Sequence, residues 1–149
     1  MQIDELLTVL KERRSIRAFS GEAVSAEEIQ MLLEAAQAAP SNSNRQGWKF
    51  LVIKNDGIKR QMADAVEQKV LELGRVIIDA ELRAAFDSYA RYLTFFTKAP
   101  VVIAALSKRS PSFLETISRE TGMDLPIGTG QAELMSVSMA IQNLQLAAH

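Results

Sequence analysis

Two short runs, Trp48–Lys54 and Val101–Leu106, read as strands in a chain whose other apolar residues mostly recur at helical spacing. The first is bulky and apolar. The second follows Pro100, is too short for a typical helix and is rich in β-branched residues, the profile of a buried strand. Ile3, Leu6, Leu7 and Leu10 share one face of a helix predicted over about Ile3 to Glu12. Ser25 and Glu28 form the reciprocal cap of a second helix, whose Ile29, Leu32, Leu33 and Ala36 fall at i, i+3, i+4 and i+7. Pro40 ends that helix. Two helical stretches are expected over roughly 57–97, and a last helix from about Gln131 onward. Residues 107–130 read as a long loop with room for a helical turn near Leu114. The expected fold class is α+β, a small sheet among larger helices.

Composition removes several kinds of chemistry. The 149 residues include no cysteine and one histidine, His149, at the very end. Disulfides, thiolate catalysis, zinc–thiolate sites, histidine triads and histidine metal clusters are therefore excluded. A formal net charge of -1 gives no global attraction to nucleic acid or anionic membrane, although a local basic cluster can still hold a phosphate. With 48% hydrophobic and 23% charged residues the chain is globular, one domain spanning 1–149. No apolar run reaches membrane-spanning length, and the acidic start Met1-Gln2-Ile3-Asp4-Glu5 lacks the order of a signal peptide. A soluble, cytoplasmic protein is expected.

Four features are candidates for function. Arg13, Arg14, Ser15 and Arg17 bring guanidiniums and a hydroxyl together, which suits a terminal phosphate. The same residues also read as a solvated basic helix end complementing the helix dipole, and taken alone they leave both readings open. The loop Pro40-Ser41-Asn42-Ser43-Asn44-Arg45-Gln46-Gly47 offers neutral donors and acceptors for a heteroaromatic ring edge and a sugar-alcohol chain. Taken alone it reads rather as a turn-rich connection. Phe86, Tyr89, Tyr92, Phe95 and Phe96 form an aromatic stripe that reads as core or subunit interface rather than a substrate-stacking box. Gln142 and Asn143, in an otherwise apolar helix, read as buried polar groups satisfied by backbone or by each other. Glu27, Glu28 and Glu133 show no pairing that argues for acid–base work.

The order of these clusters carries a resemblance. Arg-Arg-Ser-Ile-Arg-Ala-Phe precedes a capped helix ending in Ala-Ala-Pro-Ser, and Asn-Arg-Gln-Gly-Trp-Lys-Phe then enters a strand. The late Ala-Ile-Gln-Asn-Leu-Gln-Leu-Ala-Ala-His completes the set. The chain resembles the nitroreductase family over its whole length, least between Lys54 and Pro100. The resemblance implies a small, mostly antiparallel sheet surrounded by helices, in an intertwined homodimer with FMN at the interface. Arg13 and Ser15 would hold the FMN phosphate with Arg14 beside them, and Arg17 would lie near the N1 and O2 edge of the flavin ring. Pro40, Ser41, Asn42 and Asn44 would reach the flavin from the other subunit. No residue is assigned as nucleophile, general base or metal ligand.

The implied activity is an FMN-dependent oxidoreductase. NADH or NADPH would donate hydride, and nitroaromatics, quinones or related small acceptors would then be reduced in a ping-pong cycle, the flavin doing the redox work. The chain departs from the family at Gly47, where proline is usual, a change expected to loosen the loop. The final helix is still in apolar period at His149, with no C-terminal glycine, so the family's further strand and wrapping tail are expected to be missing. The alternatives are an FMN-binding dimeric protein without turnover and a non-enzymatic helical adaptor that binds a phosphorylated partner.

Overall fold

The computed structural model describes residues 2–125 and 131–149. The chain divides into two compact units. One holds the residues up to Arg14, Ser25–Leu51 and Ala104–His149; the other holds Ser15–Val24 and Val52–Ile103. Six helices and two strands are present among the described residues, an α+β fold as expected.

In the first unit, α1 (Ile3–Glu12) opens on Gln2, whose backbone N–H donates to the Glu5 carboxylate. Its predicted apolar face exists but is not covered, for Ile3, Leu7 and Leu10 are exposed. Helix α2 (Ala26–Gln37) begins at the predicted capping box: Glu28 N donates to Ser25 Oγ at 3.1 Å, and Ser25 N to Glu28 Oε2 at 2.8 Å. Helix α6 (Gln131–Ala147) packs along α2. Its buried residues Glu133, Ser136, Val137 and Ala140 fall at i, i+3, i+4 and i+7. Ala36, Ala39 and Ala140 form the centre of this packing, with Trp48, Phe50 and Leu144 partly buried against it.

Trp48 and Phe50 share one face of strand β1 (Trp48–Ile53), two residues apart as the pleat requires, while Lys49 and Leu51 are exposed. The partner strand is β2 (Val102–Ser107). Lys108 N donates to Gly47 O at 2.8 Å, so the start of β1 faces the end of β2 and the pair is antiparallel. The loop expected over 107–130 instead contains a helix, α5 (Phe113–Thr121). Ser112 and Glu115 cap it reciprocally, and Gly122 closes it at φ 70°, a left-handed position that glycine fills without strain. Residues 126–130 of that expected loop lie outside the described residues.

The second unit is built on α3 (Asp56–Val76) and α4 (Ala80–Ala90). Asn55 and Asp79 cap them through their side chains. Arg83 donates to the Gly74 carbonyl and pairs with Asp87, which ties the end of α3 to α4. The aromatic stripe is not one helical face. Helix α4 ends at Ala90, and Phe95 and Phe96 belong to a separate 3₁₀ turn, Phe95–Lys98. Tyr89 and Tyr92 are 66% and 59% exposed, so they are not core of this chain. Lys59 is 2% exposed and donates to Ala99 O at 2.6 Å and to Asp56 Oδ1 at 2.7 Å. These bonds join the first turn of α3 to the end of the 3₁₀ turn.

Three carboxyls are held below their ordinary range by these local contacts. Glu28 is lowered by the Ser25 backbone N–H, Asp56 by the hydrogen bond from Lys59, and Glu115 by the Ser112 backbone N–H. A carboxyl whose folded value is depressed contributes stability above its unfolded value and loses it as pH falls through the folded one. Stability is therefore expected to decline with acid below about pH 4. Asp56→Asn should make that decline shallower. Urea midpoints measured across the acid range check this, and parallel curves for the two proteins would refute it.

Candidate functional site

The basic run begins where α1 ends. Arg13 is the C-cap residue, its N–H bonded to Val9 O at 3.1 Å, and its side chain is half-buried. Arg14 Nη1 donates to Lys11 O at 2.6 Å and to Arg13 O at 2.9 Å. Arg14 thus satisfies carbonyls that the helix end leaves free, as the helix-end reading of the cluster expects. Ser15 and Arg17 follow in the second unit, both exposed. Arg17 Nη1 donates to Ser15 O at 3.3 Å, and its guanidinium carbon stands 5.7 Å from the centre of the Phe95 ring. Among the described residues no carboxylate pairs with Arg13, Arg14 or Arg17. None of these three charges is neutralised by a carboxylate of the described residues.

The polar loop of the first unit is a shaped element and not a slack connection. Asn42–Asn44 form a 3₁₀ turn, and Ser43, Asn44 and Gln46 adopt left-handed φ values of 52°, 52° and 46°. Such a conformation costs a non-glycine residue roughly 1–2 kcal/mol, so something must hold it. Ser41 Oγ accepts from Gln46 N at 2.9 Å and closes the loop. Asn42 N donates to Ser136 Oγ at 3.0 Å, and Ser136 Oγ donates to Ala132 O within α6. Arg45 Nη1 donates to Pro111 O at 3.0 Å and stands 3.6 Å from Glu133 Oε1, whose residue is 8% exposed. These anchors fix the backbone and leave Pro40, Asn42 and Asn44 exposed.

Gly47, where the family usually has proline, is tied to the neighbouring strand end. Its carbonyl is taken by Lys108 N, and its φ is not left-handed. A cleft of about 740 Å³ lies beside it, lined by Arg45, Trp48, Lys49, Lys108 and Glu133 among others.

The sequence does not announce Ser136, nor the partners of Glu133 and Phe95. Glu133 and Ser136 lie on the buried face of α6, which periodicity marks, but their pairing with Arg45 and Asn42 is visible only in the folded chain. Asn143 does satisfy backbone, donating to Ala35 O at 3.2 Å, whereas Gln142 is exposed and not buried. Among the described residues no cluster of His, Asp or Glu could hold a metal, and no helix is long and apolar enough to cross a membrane.

Residues 10–149 match the Nitroreductase family. The chain belongs to that family. Among its relatives, an Archaeoglobus fulgidus protein provisionally named NADH dehydrogenase/NAD(P)H nitroreductase is 38% identical over 63 residues, 42% of this chain and 36% of that protein. Iodotyrosine deiodinase 1 of Rattus norvegicus is 35% identical over 69 residues, 46% of this chain and 24% of the other. These matched stretches are well under two thirds of the relatives' own lengths. Among solved structures, a BluB-like flavoprotein from Clostridium difficile 630 superposes with a TM-score of 0.78 at 26% identity, covering 99% of this chain and 69% of that one. A nitroreductase with bound FMN from Desulfitobacterium hafniense DCB-2 gives a TM-score of 0.63 at 26% identity, covering 99% and 65%. The two-stranded antiparallel sheet among helices is the nitroreductase fold in this chain.

Proposed function

We propose that this nitroreductase-family chain binds FMN and forms part of an FMN-dependent oxidoreductase. The observation that carries the reading is the run Arg13-Arg14-Ser15-Ile16-Arg17, whose guanidiniums have no carboxylate partner among the described residues. Arg13 and Ser15 make no side-chain hydrogen bond to the described protein, so both are free to donate to a terminal phosphate. That donor set suits FMN. It does not suit a dinucleotide, for which a glycine-rich turn at a helix start would be needed. Support also comes from the FMN held by the Desulfitobacterium hafniense relative.

FMN, when bound, supplies the two-electron redox chemistry. The chain's own residues bind and bias it. Arg13 and Ser15 hold the phosphate, with Arg14 adding charge beside them. Arg17 would place a cation near the N1 and O2 edge, where it would favour the negative charge of the reduced form. In a homodimer, Pro40, Ser41, Asn42 and Asn44 of the second copy would face the same flavin, Asn42 and Asn44 from the anchored 3₁₀ turn. The uncovered apolar residues of α1, together with exposed Leu134, Met135 and Met139 of α6, favour such a dimer. NADH or NADPH is the electron donor, and a nitroaromatic, quinone or halogenated aromatic the acceptor. Donor and acceptor take turns at one site.

Purified protein should quench the fluorescence of added FMN and turn yellow, and NADH or NADPH should bleach that colour without oxygen. A protein that leaves FMN fully fluorescent refutes the cofactor assignment. Colour without bleaching by either nucleotide would instead favour a flavin-binding protein without turnover.

A further inference from the structure

We propose that Phe95 is a positioning residue that holds the guanidinium of Arg17 in place while leaving its charge intact. The inference rests on the assignment of Arg17 to the flavin ring, and it concerns the second unit alone.

Arg17 lies in the irregular segment Ser15–Val24, where no helix or strand fixes a side chain. An exposed arginine there would ordinarily sample many rotamers. Its only hydrogen bond among the described residues is the one to Ser15 O. The second restraint is the Phe95 ring, with the guanidinium carbon 5.7 Å from its centre, inside the range of cation–π attraction. Phe19, two residues after Arg17, also lies against this ring, with centroids 6.1 Å apart and planes 8° from parallel. The segment is thus pinned to one aromatic residue at two points.

That residue opens a hydrogen-bonded turn. Phe95 opens the 3₁₀ turn Phe95–Lys98, in which Thr97 Oγ1 donates to Thr94 O at 2.9 Å and Ala99 N to Phe96 O at 3.0 Å. Ala99 O then accepts the 2.6 Å bond from the buried Lys59 on α3. Lys59 is thus bonded to Ala99 and Ala99 to Phe96, the chain neighbour of the Phe95 ring that meets the cation. An aromatic partner suits this task better than a carboxylate. Asp or Glu would hold the guanidinium equally well, but would neutralise the charge that the bound ligand needs.

The test uses Phe95→Leu, which removes the ring and keeps an apolar side chain, and Phe95→Tyr, which keeps the ring. Three quantities are read: the mobility of the Arg17 Nε–H vector by nitrogen relaxation in the flavin-free protein, the midpoint potential of bound FMN, and its rate of reduction by NADH. In Phe95→Leu, Arg17 should become as mobile as an exposed arginine and the potential should fall. Reduction should slow by roughly two- to fivefold, the fold-change matching an exposed cation–π contact. Phe95→Tyr should retain native values for all three.

Native-like Arg17 mobility in Phe95→Leu overturns the proposal. So does a potential that falls in Arg17→Ala but stays native in Phe95→Leu, and in that case the flavin assignment of Arg17 survives. If Arg17→Ala itself leaves the potential unchanged, the flavin assignment fails, and the relaxation data alone decide whether Phe95 holds the side chain. The native protein gives a check that needs no variant. The Arg17 δ protons should show an upfield ring-current shift, and their absence from the ring's shielding region would defeat the proposal even if Phe95→Leu failed to fold.

Discussion

Ala140→Leu should destabilise the protein by about 1–3 kcal/mol, the usual cost of forcing methylenes into a well-packed core. Ala140 and Ala36 are both 0% exposed, and they mark where α6 and α2 come together. At such a crossing small side chains let two helix backbones approach, and ridge-into-groove packing leaves no room for a γ-branched residue. A leucine at 140 must push α6 away from α2. That displacement would also stretch the bond from Asn143 Nδ2 to Ala35 O. Gln142→Ala provides the contrast, since it lies on the same helix but is exposed, and should change stability by no more than about 0.5 kcal/mol. Denaturant midpoints for the two variants decide the matter. Equal midpoints for Ala140→Leu and the native chain would show that the crossing is not close-packed.

The legible parts of this fold are those written in local chemistry. Ser25 and Glu28 announce α2 because a reciprocal cap needs only residues three apart, and Ile29 to Ala36 mark its buried face. Periodicity of Ile3, Leu6, Leu7 and Leu10 marks the bounds of α1. Helix α5 shows the limit of leaning on apolar stripes. Phe113 and Leu114 are exposed, and no strong core face drew attention to it. Yet Ser112 with Glu115 is the same start signal that identifies α2, and Gly122 beyond is a helix stop signal, so the two together mark α5. The aromatic residues misled for a related reason. Phe86, Tyr89 and Tyr92 fall at a spacing of three, but the helix stops at Ala90, so periodicity continued on paper past the end of the element.

The candidate site divides in the same way. Arg13, Ser15 and Arg17 stand out in sequence because their chemistry is concentrated in five residues. What supports the site is non-local. Glu133 and Ser136 anchor the loop from α6, and Phe95 meets Arg17 from a 3₁₀ turn near β2. Neither pairing follows from spacing, since both depend on loops closing over long stretches of chain. The left-handed Ser43 and Gln46 were likewise invisible, because nothing in their identity requires φ above zero.

Arg13→Ala and Arg17→Ala should separate binding from electronic bias, and Arg13→Ala should have the largest effect on cofactor affinity. A charge-assisted hydrogen bond contributes about 1.5–3 kcal/mol, so losing the Arg13 contact to phosphate should weaken FMN binding by roughly ten- to hundredfold. Arg14→Ala should cost less, because Arg14 Nη1 is already engaged by the carbonyls of Lys11 and Arg13. The Arg13 defect should also narrow the gap between affinities at low and high salt, since an exposed charge contributes less once screened. The phosphate lies far from the ring, so the potential of whatever FMN remains bound should stay near the native value. Arg17→Ala should do the reverse. With Arg17 assigned beside N1, removing its cation should disfavour the reduced form, lower the midpoint potential and slow reduction by NADH on the order of tenfold or more. Affinity for oxidised FMN should fall less than in Arg13→Ala. Fluorescence titration and potentiometry on the two variants give four values. If Arg13→Ala shifts the potential while Arg17→Ala only weakens binding, the two arginines have been assigned to the wrong ends of the cofactor. If neither quantity moves in either variant, the run from Arg13 to Arg17 is a solvated helix end, and the phosphate must be sought elsewhere.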